Sequence, residues 1–250
     1  MMRVLLREVG NQQRLFWRSH ESAFFTFLLP IILLLLLGSA YGDSLEENVK
    51  GSTFLLAGLL GYGIVATAFA GLAITLVVRR EAGVLKRVRG TPVPTGVYLG
   101  AVIVSTLVTI ALLVVAQLLV GVYAIGADWP EAPLSFLLTC LLGAAAFAAL
   151  GLAITGAIRS AEGSSAIVNA LYLPMTFLSG AFFSQTDMPR FLEAIGDVLP
   201  LTYLLRLLRD EFVAGEGLGS SPGAIAVLAV WGAVGLVLAV RMFKWEPREV

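Results

Sequence analysis

The chain has 250 residues, of which 58% are hydrophobic and only 14% are charged, and its mean hydropathy is +0.89. A soluble globular domain carries about 25% charged residues, so this composition excludes a soluble domain and indicates several membrane spans. The formal net charge is zero, but the charges are distributed unevenly between the segments that connect the apolar runs.

The first 21 residues mix basic and apolar side chains ahead of the first apolar run. The basic residues are Arg3, Arg7, Arg14 and Arg18, and the apolar ones are Leu5, Leu6, Val9, Leu15 and Phe16. This pattern predicts an amphipathic helix over residues 1–21 that lies along the inner membrane surface. A solvated basic segment that only sets the topology is the alternative.

Six apolar runs follow, and each is long enough to supply the roughly 20 residues that a helix needs to cross a bilayer. The predicted spans are residues 22–42, 51–78, 95–125, 132–158, 163–186 and 217–240. Because a backbone in lipid must satisfy its own hydrogen bonds and no barrel-like alternation is present, we predict an all-α membrane protein with six transmembrane helices.

The charges of the connecting segments predict the orientation. With both termini inside, the inner segments (1–21, 79–89, 159–162 and 241–250) hold 13 basic and 6 acidic residues. The outer segments (43–50, 128–131 and 187–216) hold 4 basic and 11 acidic residues. The basic excess inside follows the positive-inside rule, so we predict a multi-pass protein of the cell membrane with both termini in the cytoplasm.

The connection between the second and third spans, residues 79–94, carries five basic residues and one acid. Val84, Leu85 and Val88 fall at helical spacing, and Pro92 and Pro94 end the segment before the third span. The inner location of this segment would by itself explain its basic charge. A short helix with an apolar ridge is also the form expected of a segment that docks into a groove on a partner.

Residues 187–216 are too apolar for a free outer loop. One apolar stripe comprises Phe191, Ile195, Val198 and Leu199, and the other comprises Leu204, Leu205, Leu207, Leu208 and Phe212. Neither stripe is long enough to span a bilayer, and Pro200 separates them. We predict a re-entrant or interfacial helical hairpin with both stripes buried, in which Arg206 and Asp210 pair at i,i+4. The hairpin either gates the exit or only braces the outer helix ends.

Polar, aromatic and small residues inside the spans allow two interpretations. The candidate pathway-lining residues, here called the pathway set, are Tyr62, Phe69, Asn169, Tyr172, Met175 and Phe177. Met and aromatic side chains suit adaptable apolar ligands, but ordinary core packing would use the same residues. Small residues in the second span and in the fourth span (Gly143–Ala149, Gly151) indicate close helix packing, either within the chain or across a dimer axis.

The sequence has no Walker A loop, because none of its three lysines, Lys50, Lys86 and Lys244, follows a glycine. Any ATP must therefore be bound by a separate subunit. A secondary transporter is disfavoured because the predicted central spans hold no ionisable side chain. A membrane enzyme acting alone is disfavoured because the lone His20 lies outside the spans and no HExxH motif is present. A membrane assembly subunit stays open.

Two motifs resemble a known family. The first is Arg80-Glu81-x-Gly83-x-x-Lys86-Arg87-x-Arg89-x-Thr91-Pro92. The second is the stretch from Pro174 to Arg209, with Leu178-Ser179-Gly180, Phe182-Phe183, Met188-Pro189 and Pro200-Leu201-Thr202-Tyr203. Together with the segment order, these resemble the permease subunit of ABC-2 type (type V) exporters, in the branch of bacterial daunorubicin-resistance permeases. Ser184 departs from the pattern, since many relatives have proline there.

The resemblance implies one ABC-2 type domain over residues 1–250 and a role for each of the segments. The 79–94 segment would be the coupling helix that contacts the ATPase, with the coupling set Arg80, Glu81, Gly83, Lys86, Arg87, Arg89, Thr91 and Pro92. The 187–216 hairpin would close the exit, with the gate set Ser179, Gly180, Phe182, Phe183, Pro189, Pro200 and Tyr203. Residues 3–18 would form the interfacial connecting helix.

The resemblance also implies the partners and the cargo. Two ATPase subunits would bind ATP and Mg²⁺, while this chain would bind no cofactor or metal and no nucleic acid. A second permease copy would complete a homodimer, or a related permease a heterodimer, in the lipid bilayer. The expected activity is export of a hydrophobic or amphipathic drug or lipid, and export of a polysaccharide or cell-wall precursor is the alternative within the family.

Overall fold

The fold is almost entirely helical. The computed structural model describes residues 1–41, 45–46, 49–91, 93–185, 188–213 and 216–246. Helix α1 (Met2–Arg18) precedes the first membrane helix, which consists of α2 (His20–Ala23), the π-helical segment π1 (Phe24–Leu28) and α3 (Leu29–Tyr41). Two short antiparallel strands follow, β1 (Leu45–Glu46) and β2 (Val49–Lys50), and Leu45 pairs with Lys50.

The second membrane helix consists of α4 (Gly51–Val65), the π-helical segment π2 (Ala66–Gly71) and α5 (Leu72–Glu81). The remaining helices are α6 (Val84–Arg89), α7 (Thr95–Ile125), α8 (Pro133–Thr155), α9 (Ala161–Leu178), α10 (Arg190–Gly196), α11 (Pro200–Asp210) and α12 (Pro222–Met242).

Five helices in the described part of the chain are long and apolar enough to cross a membrane. They cover His20–Gly38, Gly51–Glu81, Thr95–Ile125, Pro133–Thr155 and Pro222–Met242. The all-helical membrane class is therefore confirmed, but the count of six spans is not. The difference is α9, which ends at Leu178 although the predicted fifth span runs to residue 186. The chain turns there because Gly180 adopts a left-handed backbone conformation with φ of 79°.

The second membrane helix lies at the centre of the molecule. Every residue of α4 is buried, and α4 contacts α3, α7, α8 and α11, while α5 contacts α8 and α9. Helix α4 is apolar on all sides, and a helix of this kind must be surrounded by other apolar surface. The long helix α12 packs along α8.

Glycines let the helices approach closely within the chain. A side chain at Gly58 would collide with the carbonyl oxygen of Ala181, and one at Gly151 would lie 2.9 Å from the carbonyl oxygen of Phe69. Gly143 receives the side chain of Leu204 in the same way. These contacts favour packing within one chain over a dimer axis for the small residues of the second and fourth spans.

The two ends of the bundle differ. One end carries α1 and α6 and is called the α6 end, and the opposite end carries α10 and α11 and is called the α11 end. Helix α1 lies against α7, where Gln13 Nε2 donates to the carbonyl oxygen of Ser105 over 2.7 Å. Residue Gln12 of α1 is buried and accepts a hydrogen bond from Arg79 over 2.6 Å. Helix α1 is thus fixed to the bundle by polar contacts.

Candidate coupling, pathway and gate sites

The coupling segment is a sharp turn followed by a short helix. Helix α5 ends at Glu81, and Gly83 adopts φ of 69°, a left-handed conformation that favours glycine. Helix α6 then buries Leu85 completely and packs Val88 against the core. The basic residues of α6, which are Lys86, Arg87 and Arg89, are consequently exposed.

Arg80 is buried instead of exposed. Its side chain is 1% exposed, and its guanidinium donates to the carbonyl oxygens of Thr155 at 2.8 Å and Ile158 at 2.7 Å. Its Nε donates to Glu81 over 2.7 Å. The last carbonyl groups of a helix lack partners within the helix and carry partial negative charge. Arg80 satisfies one such group, at Thr155, and also the carbonyl group of Ile158 just beyond α8, and it therefore joins the coupling segment to the end of that helix.

The other coupling residues make local contacts around α6. Arg87 donates to the carbonyl oxygen of Ala82 at 3.2 Å, and Thr91 donates to that of Val88 at 2.7 Å. Arg89 pairs with Glu246 at 3.3 Å, with both side chains exposed. Pro92 lies outside the described residues. The structure thus divides the coupling set into an exposed basic surface and the buried anchor formed by Arg80 and Glu81.

The pathway set is divided as well. Tyr62, Phe69 and Tyr172 are buried, and the rings of Tyr62 and Tyr172 lie 5.9 Å apart. Met175 is partly buried against the core. Asn169 and Phe177 are exposed on α9. The buried members therefore lie in the core, where Tyr62 and Tyr172 pack on each other, and the two exposed ones lie on the open face of α9.

The pathway and gate sets meet in one aromatic cluster. The ring of Phe182 lies 5.7 Å from that of Tyr62 and 5.4 Å from that of Phe177. Ser179 and Gly180 are buried next to it, whereas Phe183 is exposed. Spacing along the chain did not predict this junction, because it depends on the backbone turn at Gly180.

Prolines begin both helices of the predicted hairpin. Pro189 precedes α10 and Pro200 is the first residue of α11, where a missing N–H costs nothing. Tyr203 donates its hydroxyl proton to the carbonyl oxygen of Asp197 over 2.7 Å. Arg206 lies over the Tyr203 ring and pairs with Asp197 at 2.6 Å.

The predicted pairing of Arg206 with Asp210 is wrong. Asp210 instead accepts a hydrogen bond from Ser221 at 2.6 Å. Helical side chains tilt toward the N-terminus of their helix. The side chain of Arg206 therefore extends toward Asp197, between α10 and α11, and away from Asp210.

The two apolar stripes of the hairpin differ in burial. Leu204, Leu205, Leu207 and Leu208 of α11 are fully buried, and Phe212 is 7% exposed. In α10, Phe191 and Ile195 are 66% and 48% exposed, and the following Val198 is 64% exposed. The prediction that both stripes are buried therefore holds within the chain only for α11.

Two charged side chains at the α11 end were not predicted as site residues. Arg209 is buried, donates to the carbonyl oxygen of Gly180 at 2.5 Å and lies 3.7 Å from the centre of the Phe54 ring. Glu211 is fully buried and accepts hydrogen bonds from Ser135 at 2.8 Å and Thr139 at 2.7 Å. The sequence does contain an indication that Arg209 is buried, because Arg209 follows Leu205 at i+4 and so lies on the same face of the helix.

Five long apolar helices in the described part of the chain, together with a basic helix at one end and a buried helical segment at the other, define a multi-pass membrane protein. The ABC-2 type transporter family matches residues 9–213. The chain therefore belongs to the ABC-2 type transporter family, as its sequence motifs predict.

Three relatives illustrate the similarity. The chain is 25% identical over 214 residues to the inner membrane transport permease YadH of Escherichia coli, covering 84% of this chain and 81% of YadH. It is 29% identical over 230 residues to the daunorubicin resistance ABC transporter permease protein DrrB1 of Streptomyces coeruleorubidus, covering 87% and 77%. It is 26% identical over 210 residues to nodulation protein J of Sinorhizobium fredii, covering 80% and 78%.

Proposed function

We propose that this chain is the transmembrane permease subunit of an ATP-driven exporter. Its cargo is a hydrophobic or amphipathic drug or lipid taken from the cytoplasm or the inner leaflet. In this proposal the α6 end and both termini face the cytoplasm, and the α11 end faces outward. The basic excess at the α6 end supports that orientation.

The observation that carries the proposal is the anchoring of the coupling segment. Lys86, Arg87 and Arg89 present an exposed basic surface, while Arg80 joins the same segment to α8 through two carbonyl oxygens. A partner that displaces α6 would therefore displace α8 and the second membrane helix with it. A basic surface of this kind suits an acidic groove on an ATPase.

ATP and Mg²⁺ belong to the partner in this proposal. Two ATPase subunits bind the nucleotide and dock below the permease, one against each α6. The three lysines of this chain lie outside any glycine-rich phosphate loop.

A second permease copy, or a related permease, completes the pathway. The exposed face of α9 carries Asn169, Leu173 and Phe177, which are spaced four residues apart and so lie in one row. A second subunit placed against this row would bring two copies of the aromatic cluster toward a two-fold axis.

The aromatic packing favours a drug or lipid over a polysaccharide. Tyr62, Tyr172 and Phe182 are buried and pack on each other. They leave no open row of ring faces on which sugars could stack. The name of one relative, a daunorubicin resistance permease, is consistent with an amphipathic drug.

Co-purification with the partner ATPase tests the proposal. The permease is expressed with a candidate ATPase, and ATP hydrolysis in nanodiscs is measured with and without a panel of amphipathic drugs. We expect co-purification and drug-stimulated hydrolysis, and we expect the double variant Lys86→Glu, Arg87→Glu to lose both.

Lys244→Glu is the matched control, because Lys244 is an exposed basic residue at the same end and lies outside α6. Substrate transport driven by an ion gradient, with no ATPase present, would overturn the proposal in favour of a secondary transporter. Stable incorporation into a complex with no transport activity would indicate an assembly subunit.

A further inference from the structure

A cavity of about 380 Å³ lies at the α6 end, between α1, the two membrane helices that follow it, and α7. Along the second membrane helix it extends from Arg79 to Thr67, about 18 Å at 1.5 Å per residue. Its volume falls at the lower end of the roughly 300–1,000 Å³ found for small-molecule sites. The pathway, coupling and gate sets do not line it, so it is separate from the sites described above.

Hydroxyl groups line much of the cavity. They belong to Ser19, Ser22, Thr26, Thr67, Thr75, Ser105, Thr106 and Thr109. A threonine in a helix commonly donates to the carbonyl oxygen one turn earlier, as Thr106 does to Val102 over 3.0 Å. By contrast, Thr26, Thr67 and Thr75 form no hydrogen bond with any described residue, so their hydroxyls are open to a ligand.

Both π-helical segments contribute to this wall. Thr26 belongs to π1, and Thr67 belongs to π2. Single π turns within α-helices occur frequently at functional sites, because the wide turn changes the direction of the side chains. Two such turns lie on neighbouring helices, and each contributes a threonine to one cavity. This indicates that both turns belong to the same binding site.

Arg79 is the only charged residue among the described residues that line the cavity. Its Nη1 donates to Gln12 at 2.6 Å and to the hydroxyl of Tyr98 at 3.1 Å. These contacts fix the guanidinium, while its Nε and Nη2 form no hydrogen bond with any described residue. A fixed guanidinium with two available donors matches a phosphate group.

We propose that this cavity binds the phosphate head group of an anionic amphiphile from the adjacent leaflet. Arg79 holds the phosphate at the α6 end, and the open threonine hydroxyls bind the polar groups next to it. The apolar part of the cavity wall would contact the start of the acyl chain, and it is formed by Leu72, Ile74 and Val102. The site lies within one chain, so it does not depend on ATP-driven export or on a second subunit.

Lipid retention by the purified full-length chain tests the proposal. The chain in detergent is titrated with phosphatidylglycerol, with diacylglycerol, which lacks the phosphate, or with inorganic phosphate, and bound molecules are counted by native mass spectrometry. We expect phosphatidylglycerol to bind about tenfold more tightly than diacylglycerol, the effect of one charge-assisted contact. Arg79→Gln should remove that preference, and Thr75→Leu should weaken binding of both lipids.

Arg241→Gln is the matched control, because Arg241 is an exposed arginine of α12 that does not line the cavity. If Arg79→Gln fails to fold after losing its hydrogen bonds to Gln12 and Tyr98, Thr75→Leu decides alone, since Thr75 forms no hydrogen bond with a described residue. Equal retention of the two lipids by the wild-type chain would overturn the proposal, as would an unchanged affinity in Thr75→Leu. Displacement of phosphatidylglycerol by inorganic phosphate at the same concentration would show a small-anion site and overturn the amphiphile assignment.

Discussion

Arg80 shows how a single side chain fixes the coupling segment. A buried charge is costly unless hydrogen bonds and an opposite charge compensate it. Here Thr155 and Ile158 supply two carbonyl oxygens, and Glu81 supplies a carboxylate. The arrangement is therefore stable only when α5 and the end of α8 are in register.

We expect Arg80→Gln to destabilise the protein by about 2–3 kcal/mol, because two buried carbonyl groups lose their donor. The measurement is the thermal unfolding midpoint in detergent, followed by circular dichroism. Lys86→Gln is the control, since it removes a charge from the same segment at an exposed position. Equal unfolding midpoints for the two variants would contradict the anchoring role of Arg80.

The backbone of Gly83 permits a second comparison. Gly83 has φ of 69° and open space where a side chain would begin, whereas Gly90 has an ordinary φ of −82°. Gly83→Ala should therefore cost about 1–2 kcal/mol from left-handed strain alone, and Gly90→Ala should cost much less. Limited proteolysis between α5 and α6 measures the difference, and equal cleavage of both variants would show that the turn is not strained.

At the scale of elements, α10 and α11 belong to different environments. Helix α11 is enclosed by α4, α8 and α12, and its five leucines are fully buried. Helix α10 contacts α9 but leaves Phe191 and Ile195 open. Two exposed side chains of this size in water would lose about 1.5–3 kcal/mol each relative to burial, so α10 requires lipid or a second subunit to cover it.

Cysteine labelling distinguishes the two helices. In a Cys140→Ser background, which removes the single native cysteine, we expect Leu204→Cys and Leu208→Cys to resist a membrane-impermeant reagent in both membranes and detergent. Phe191→Cys should be protected in the membrane and react after delipidation. Arg190→Cys is the exposed control and should react in both. Rapid labelling of Leu204→Cys in intact membranes would contradict the burial of α11.

The sequence predicts some of these elements well for local reasons. Helix α7 runs from Thr95 to Ile125, the predicted bounds, because Pro94 precedes it and Gly126 ends it with φ of 72°. The residues next to each end therefore set the bounds of this helix. The apolar ridge of α6, with Leu85 and Val88, is likewise visible in the sequence and is the side that packs inward.

Other features could not be predicted because they depend on distant contacts. The end of α9 is set by the turn at Gly180, whose carbonyl oxygen is held by Arg209. Nothing in the coupling motif distinguishes buried Arg80 from exposed Arg87, since the distinction arises from the position of α8. Burial of Glu211 likewise requires Ser135 and Thr139 from another helix.

At the scale of the whole molecule, one helix connects both ends. The second membrane helix carries Arg80 at the α6 end, and near the other end it presents the ring of Phe54 to Arg209. Arg209 in turn holds the carbonyl oxygen of Gly180, next to the aromatic cluster. A movement of the α6 end can therefore reach the gate set through a continuous series of packed contacts.

Cross-linking tests the arrangement of two permease subunits. We expect Phe177→Cys, in the Cys140→Ser background, to form a disulfide-linked permease dimer on mild oxidation in membranes, because the exposed row on α9 faces the second subunit in the proposed arrangement. Val240→Cys is the control, since Val240, on α12, is more exposed than Phe177. Dimers formed at Val240→Cys but not at Phe177→Cys would move the subunit interface to α12.

The segment π2 determines which helices the two neighbouring arginines hold. A π turn accommodates one residue more than an α turn, so it offsets everything below it by about 100° around the axis. With that offset, Arg79 faces α1 and α7 while Arg80 faces α8. If the same residues wound as an unbroken α-helix, both side chains would turn by about 100° in the same sense and lose these partners. The wide winding of this short stretch therefore sets which neighbouring helices are tied to the second membrane helix at its α6 end.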